Sequence, residues 1–364
     1  MSAANNKVLV AMSGGVDSAV AAALLLADGY DVTGVFLCLS LRHDDGPAAS
    51  RTCCSPTDAV DARQVAAALG IELISLPVGG AFEPIIDNFV AEYARGRTPN
   101  PCVHCNSLIK FGHLLDLADQ AGIGLIATGH YARRVDVDSQ PASGEPRRAA
   151  IARARNVGKD QSYALFGVAR ERLGRILLPI GELADKAAVR RIARERGLPV
   201  HNKPDSQEVC FVPGGDYTEL LAHRAPEALR PGTIVNAAGD VLGRHDGYAQ
   251  FTIGQRRGLG VAAGEPMYVT DIDPERAQVT IGPRSAVMRR ELTASGANWH
   301  SQMPDAFDAI VQIRYNHRGA AGRVRRTGEA TFEVHFGEDI AAITPGQAAV
   351  VYNGDRLLGG GWID

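Results

Sequence analysis

Residues 7–39 read KVLVAMSGGVDSAVAAALLLADGYDVTGVFLCL, and this stretch sets the fold class. Lys7–Met12 is a short apolar run of the kind buried in a parallel sheet. Ser18–Ala27 is an apolar helix stopped by Asp28-Gly29, and Asp31–Leu39 is a second strand. Between the first strand and the helix stands Ser13-Gly14-Gly15-Val16-Asp17-Ser18. Glycines let the backbone approach an anion, and the N–H groups at a helix start favour negative charge. Ser13 and Ser18 add hydroxyl donors. Asp17 is out of place beside a phosphate unless a Mg²⁺ lies between them. The run lacks the Gly-Lys-[Ser/Thr] of a Walker loop, and Gly258-Leu259-Gly260 with Gly264 has the wrong spacing for a dinucleotide fingerprint. A tight strand-to-helix turn without a ligand is the plainer alternative and ranks behind phosphate binding.

Outward from this segment the alternation continues. Thr57–Leu69 reads as a helix capped by Thr57 or Asp58 and ended by Gly70. Ile71–Pro77 and Leu125–Thr128 read as strands, Leu108–Ala121 as a helix, and Lys186–Arg196 as a helix closed by Gly197. Alternating strands and helices imply parallel βαβ units with right-handed crossovers. Ser139–Arg148 looks like an exposed loop. The character changes near Pro213-Gly214-Gly215. From Pro231 onward short alternating runs are separated by turn residues at Asn236–Asp240, Asp271–Pro274, Gly328, Gly337-Glu338-Asp339 and Asn353-Gly354-Asp355, which is a mostly β pattern. A soft boundary falls near 285, and no fixed-period repeat is present.

A length of 364 residues suits two or three domains, and 45% hydrophobic with 22% charged residues is an ordinary globular balance. That apolar content together with a net charge of only −3 excludes a wholly disordered chain. No apolar run reaches the roughly 18–20 residues of a membrane span, and the first residues lack a signal-peptide pattern. A cytoplasmic enzyme is the expectation. Arginine outnumbers lysine 33 to 5. Codon bias accounts for most of this, while the guanidinium fork also suits phosphate. A near-neutral total leaves room for a local basic face and so for nucleic acid.

Six cysteines occur, at 38, 53, 54, 102, 105 and 210. In a reducing compartment they read as reactive or metal-binding thiols rather than a disulfide framework. Pro99-Asn100-Pro101-Cys102-Val103-His104-Cys105-Asn106 precedes a helix expected to begin near Ser107, where dipole and N–H groups favour a thiolate. Zinc wants four ligands, and this pair lacks the partner Cys-x-x-Cys that would complete them. A thioredoxin-type redox pair lacks its fold context. Thiol chemistry on an adenylated substrate unites this motif with the glycine-rich run. Cys38 fits packing in a strand, and Cys53 and Cys54 have no assignment.

The Ser-Gly-Gly-x-Asp-Ser run resembles the PP-loop of ATP pyrophosphatases (the adenine nucleotide alpha-hydrolase-like fold), which transfer AMP to an oxygen and make it a leaving group. Nearly end to end, the chain resembles the tRNA-specific 2-thiouridylases. The segments are AMSGGVDSAVAA (11–22), TPNPCVHCNSLIKF (98–111), ATGHYAR (127–133), GKDQSYAL (158–165), KPDSQEVCFV (203–212) and TIGQRRGLGV (252–261). Argininosuccinate, GMP and NAD synthetases share the first segment but not the combination. The resemblance implies an α/β chain with an N-terminal parallel-sheet PP-loop domain over 1–213, a small β-rich central domain over 214–285 and a C-terminal tRNA-binding β-barrel over 286–364.

The same resemblance implies an activity, 2-thiolation of the wobble uridine of tRNA, with ATP and Mg²⁺. Ala11, Met12, Ser13, Gly14, Gly15, Val16, Asp17 and Ser18 would bind ATP, with Leu37 and Gly129 near adenine and ribose. ATP would adenylate the uridine C2 oxygen. Cys210 would carry a persulfide supplied by a cysteine desulfurase or sulfur-relay protein. Cys105 would be the nucleophile, or would release sulfur through a transient disulfide with Cys210. Asn100, Pro101 and Cys102 match the loop around the target base. His130, Lys159, Asp160, Gln161, Arg314, Tyr315 and Gln347 match tRNA-contacting positions. Many family members carry Asp where this chain has Cys102. The extra thiol opens a second route, a 4Fe–4S cluster on Cys102, Cys105 and Cys210 with one iron open; the persulfide route ranks first on the wider family. Arg318, Arg323, Arg325 and Arg326 read equally as a solvated face or a ligand face. Two other function classes compete: adenylation of a small molecule, and a non-catalytic tRNA-binding or sulfur-carrier protein.

Overall fold

The computed structural model of the chain describes residues 6–39, 56–137, 149–204 and 209–364. The chain divides into two compact units. The first comprises Met1–Glu83, Cys102–Gly215 and Asp355–Leu357; the second comprises Pro84–Pro101, Asp216–Gly354 and Leu358–Asp364.

In the first unit the strands are β1 (Lys7–Ala11), β2 (Asp31–Cys38), β3 (Glu72–Pro77), β4 (Leu125–Thr128), β5 (Ala132–Asp136), β6 (Ala149–Arg153) and β7 (Ile176–Leu177). Five of them form one sheet in the order β3-β2-β1-β4-β7, and every pairing in it is parallel. The helices are α1 (Val16–Ala27), α2 (Pro56–Leu69), α3 (Gly79–Ala94, which crosses into the second unit), α4 (Pro101–His104), α5 (Leu114–Gln120) and α6 (Lys186–Glu195). After Asp17 and Ser18, α1 is apolar because it is buried nearly all round: Val16, Ala19 to Ala23 and Leu25 sit in one core with Val8, Val10, Ala127, Ile180 and Val189. Asp185 caps α6, its carboxylate accepting from the Ala188 N–H at 2.7 Å.

Three local expectations change. The helix expected over Leu108–Ala121 opens already at Pro101 as α4, continues as a π-helix over Cys105–His113 and ends as α5. α2 has begun by Pro56, so Thr57 and Asp58 stand in its first turn rather than capping it. α3 and the β5–β6 hairpin have no counterpart in the sequence reading. The Gly79-Gly80 start and Pro84 of α3 look like loop chemistry, but burial of Phe82, Ile85, Ile86 and Phe89 overrides local preference. The expected loop Ser139–Arg148 lies outside the described residues, as do Cys53, Cys54 and Asp205–Glu208.

The second unit holds α7 (Thr218–Arg224) and a four-stranded sheet of β8 (Gly232–Val235), β9 (Val241–His245), β10 (Tyr268–Asp273) and β11 (Gln278–Gly282), in the order β10-β11-β8-β9. It also holds a closed antiparallel barrel of β12 (Met288–Trp299), β13 (Ala306–Gln312), β14 (Ala320–Arg326), β15 (Thr331–Ala341), β16 (Ala348–Asn353) and β17 (Arg356–Ile363). Pairing of Ala294 with Ile363 and Trp299 with Gly359 closes it, which removes the exposed edges. Leu292, Val311, Val324, Phe332, Val334 and Val351 fill its core. One expected turn comes late and one is not a turn. Asp271 to Asp273 still belong to β10 and the turn occupies 274–277, whereas Gly337-Glu338-Asp339 lies inside β15. There the pairing with β12 jumps from Arg289–Ile340 to Glu291–His335, so these residues form a bulge. No helix among the described residues is long and apolar enough to cross a membrane.

Candidate active site

β1 ends at Ala11, and the Met12 N–H donates to the Val35 carbonyl at 2.8 Å, holding the chain beside β2 as it leaves the sheet. The glycine-rich turn follows, with Gly15 as the N-cap of α1. Ser18 Oγ accepts from the Ser13 N–H at 3.2 Å, lies 3.3 Å from Ser13 Oγ and donates to the Gly15 carbonyl at 3.1 Å. Gly14 has φ 72°, and a side chain there would strike the Asp58 carbonyl of α2. Gly129 follows β4 and touches the same turn: a Cβ on it would lie 2.6 Å from the Asp17 carbonyl carbon and the Ser18 nitrogen. Val16 is buried, and Leu37 is half-buried in β2 opposite Leu76. The loop therefore presents backbone and two hydroxyls, with no bulk in front of them, which fits the phosphate end of a nucleotide.

Asp17 has a partner that sequence reading missed. Lys186 Nζ, at the start of α6, donates to both carboxylate oxygens at 2.8 Å, and Tyr131 Oη donates to one of them at 2.7 Å. An ammonium thus stands where a Mg²⁺ was expected beside this carboxylate. A second lysine, Lys203, donates to the Gly14 carbonyl at 3.0 Å, to Asp58 Oδ1 at 2.6 Å and to Asp61. The available signal was scarcity: two of only five lysines in an arginine-rich chain reach this turn.

Cys102 lies in α4 and Cys105 opens the π-helix, so both are in the first turns of a helix and not ahead of one. In the π-helix the Leu114 N–H reaches back five residues to the Ile109 carbonyl. Such helices are rare and concentrate at functional sites. Asn106, only 2% exposed, ties it to the rest of the unit by donating to the Ala164 carbonyl at 3.1 Å. The expected depressed thiol is not found. Burial pushes Cys105 up to about 11; the Lys110 ammonium opposes this, and Cys210 and Cys102 add to it. Cys102 is open to solvent on one side but crowded by protein on the others. Its thiol is also raised, by burial and then by Cys210, against Lys110. Cys210, a hundred residues away in sequence, is thereby within electrostatic reach of both thiols. Cys38, Cys102, Cys105 and Cys210 are not in disulfides, and Cys38 is half-buried in β2. Among the described residues no three His, Cys, Asp or Glu side chains are gathered to hold a metal ion. The Cys102, Cys105 and Cys210 thiols are therefore not assembled as ligands of an iron–sulfur cluster.

His130 shares a 2.7 Å hydrogen bond between Nδ1 and Thr128 Oγ1; burial, then the nearby Lys110, holds its pKa well below the usual histidine range. Asp160 faces inward, accepting from Arg153 Nη1 (3.0 Å), the Ala154 N–H (2.9 Å) and the Ser162 N–H (3.2 Å) and Oγ (2.8 Å). Gln161 Oε1 accepts from the Tyr131 N–H at 2.9 Å. Lys159 closes the short 3₁₀ turn before them. In the second unit, Gln347 Nε2 donates to the Thr98 and Pro99 carbonyls, both at 3.1 Å, fixing the chain that leads into Asn100 and Pro101. Arg314 donates to the Ala341 and Ala342 carbonyls, while Tyr315 is 46% exposed. Arg314 and Gln347 line a cavity of about 540 Å³ together with Thr98, Gln255, Tyr268 and Arg284. Arg323 pairs with Asp308, Arg325 with Glu333, and Arg326 donates to the Met303 carbonyl, which reads as a self-paired face.

Three family models match the chain: a tRNA methyl transferase HUP domain over 6–214, a tRNA methyl transferase PRC-barrel domain over 218–283 and an aminomethyltransferase beta-barrel domain over 289–363. A tRNA-specific 2-thiouridylase MnmA of Carboxydothermus hydrogenoformans is 47% identical over 362 residues, covering 98% of this chain and 97% of that protein. The chain belongs to the tRNA-specific 2-thiouridylase family. The 2-thiouridylases MnmA of Rhodopirellula baltica (42% over 396 residues, 98% and 96% covered) and Pelotomaculum thermopropionicum (44% over 362 residues, 98% and 97%) agree. The domain descriptions speak of methyl transfer, whereas these full-length 2-thiouridylases carry thiolation in their names.

Proposed function

We propose that the chain is an ATP-dependent tRNA-uridine 2-sulfurtransferase acting on the wobble position. The observation that carries this reading is the company of parts in one compact unit: the Ser13–Ser18 turn, and the Cys102, Cys105 and Cys210 thiols in mutual electrostatic reach. Gly14, Gly15, Ser13 and Ser18 would receive the Mg²⁺-bound nucleotide, while Asp17 stays paired with Lys186 and Tyr131. Leu37 and Gly129 border the adenosine. The uridine C2 oxygen attacks the α-phosphorus and pyrophosphate leaves. A carbonyl oxygen is a poor leaving group; as an adenylate it departs with AMP.

A persulfide on Cys210, loaded by a cysteine desulfurase or sulfur-relay protein, attacks C2 with its outer sulfur, and AMP leaves. Cys105 then attacks the inner, Cys210 sulfur, and its thiol proton passes to N3 of the base, which lost its own proton on adenylation. The S–S bond breaks, the 2-thiocarbonyl remains on the base, and a Cys105–Cys210 disulfide forms, to be reset by a thiol reductant. Reaching C2 requires the base to leave the anticodon stack. Asn100, Pro101 and Cys102 border the base, and His130, Lys159 to Gln161, Arg314, Tyr315 and Gln347 contact the rest of the tRNA. Asp160 and Gln161 do so by shaping the backbone, since their side chains are taken up internally.

Purified protein incubated with tRNA, ATP, Mg²⁺ and a sulfur donor should give 2-thiouridine by nucleoside mass spectrometry, with AMP and pyrophosphate formed only when tRNA is present. ADP and phosphate as products would refute the adenylation route. Pyrophosphate release with a small metabolite and no RNA would favour a synthetase instead.

A further inference from the structure

Lys203 is one of five lysines in a chain with 33 arginines, and its ammonium sits where three segments meet. It bonds the Gly14 carbonyl of the nucleotide turn and the Asp58 and Asp61 carboxylates of α2, and all three side chains are about three-quarters buried. A guanidinium is planar and wide; an ammonium is a point charge with three donors, which suits three acceptors around one atom. Burial works against the charge, but the hydrogen bonds to Asp58 and Asp61 outweigh it and raise the Lys203 pKa.

Two consequences follow from peptide geometry and charge. In a trans peptide the carbonyl of one residue and the N–H of the next point in opposite directions, and no cis bond occurs among the described residues. Holding the Gly14 carbonyl on the α2 side therefore turns the Gly15 N–H toward the opposite side, ahead of α1. The same ammonium offsets two carboxylates adjoining a turn that receives a polyanion.

We propose that Lys203 is a positioning residue for the nucleotide turn, aiming the Gly15 N–H at the phosphates and cancelling the repulsion of ATP by Asp58 and Asp61. This rests on the reading of Ser13–Ser18 as the ATP site. Binding of ATP by the unaltered protein tests that reading, and the ratio between variants tests this one.

The experiment measures ATP·Mg²⁺ affinity by equilibrium dialysis on the full chain, at about 0.05 and 0.5 M salt. Lys203→Met should weaken ATP about tenfold or more at low salt, and the deficit should shrink at high salt as the carboxylate field is screened. Lys203→Arg should fall between the two. The triple variant Lys203→Met/Asp58→Asn/Asp61→Asn should recover most of the salt-dependent part and keep the salt-independent remainder. Lys203→Met that binds ATP as the unaltered protein does would overturn the proposal, as would a deficit indifferent to salt and to the two Asn substitutions. Should Lys203→Met fail to fold, Asp58→Asn/Asp61→Asn alone decides the charge argument: tighter ATP binding at low salt supports it, and unchanged or weaker binding overturns it.

Discussion

A carboxylate in the first turn of a helix that receives phosphate repels its ligand unless a cation stands by, and Lys186 stands by Asp17. The pair is bonded at 2.8 Å through both oxygens, with the Tyr131 hydroxyl as third member. Lys186→Met should leave Asp17 facing the nucleotide with its charge uncompensated and weaken ATP about tenfold, read by the same dialysis; an unchanged affinity would place the pair outside the nucleotide site. The thiols divide differently. Cys105→Ser and Cys210→Ser should each abolish thiolation, whereas Cys38→Ser, a half-buried strand position, should keep it; nucleoside mass spectrometry separates these cases, and an active Cys210→Ser would end the persulfide relay. Serine preserves size but cannot carry or resolve a persulfide.

Elements, rather than single residues, set the approach distances. β4 runs beside β1 in parallel, and its continuation at Gly129 meets the opening of α1 backbone to backbone. A methyl group at this point has nowhere to go, because the atoms it meets belong to Asp17 and Ser18 main chain. Gly129→Ala should cost roughly 1–3 kcal/mol of stability and widen the nucleotide turn. A lowered melting temperature together with weakened ATP binding would be the sign; wild-type values for both would show that the turn is slack. The π-helix has the opposite character. Its period places residues five apart in near register, bringing Cys105 and Lys110 toward one face, whereas an α-helix would set them well apart. That is how a cation on the same element acts on the Cys105 thiol.

For the whole molecule, proton linkage and salt give separate readouts. His130 is held far below the unfolded value of about 6.5 by burial, and His245 and His317 are lowered for the same reason. Below that value the unfolded chain takes up protons that the native chain refuses, so stability is full above it and falls as pH drops from about 6.5 toward the folded values. Denaturant midpoints at pH 7.5 and 5.5 should show the fall, and His130→Gln should flatten it; an unaltered slope would remove His130 from the balance. Binding of tRNA should weaken with salt at a log–log slope of about −3 to −5, corresponding to about four to six phosphates. Tyr315→Ala tests the proposed tRNA contact, where an exposed ring could stack on a base, more cleanly than Arg314→Ala, because Arg314 also holds the Ala341 and Ala342 carbonyls of the barrel. Tyr315→Ala binding tRNA as tightly as the unaltered chain would take this surface out of the interface.

Local order was legible in the amino acids wherever the physical cause was local. The apolar run before Ser13, the glycines of the turn, the apolar stretch of α1 beyond Ser18 and the Asn353-Gly354-Asp355 hairpin each announce themselves, since steric freedom and burial act on neighbouring residues. The parallel sheet and the β-rich second half followed from those signals. What they could not disclose were relations across the chain. Nothing near Asp17 signals that its counter-charge comes from Lys186, 169 residues on, or that Lys203 will grip Gly14. Cys105 looked like a depressed thiol at a helix start because the dipole is local. It is instead raised, because desolvation depends on everything packed around it. Gly337–Asp339 read as a turn and became a bulge because the neighbouring strand β12, not the residues themselves, set the register. Charge pairing, burial and register are sums over distant neighbours, so only the tertiary structure decided them.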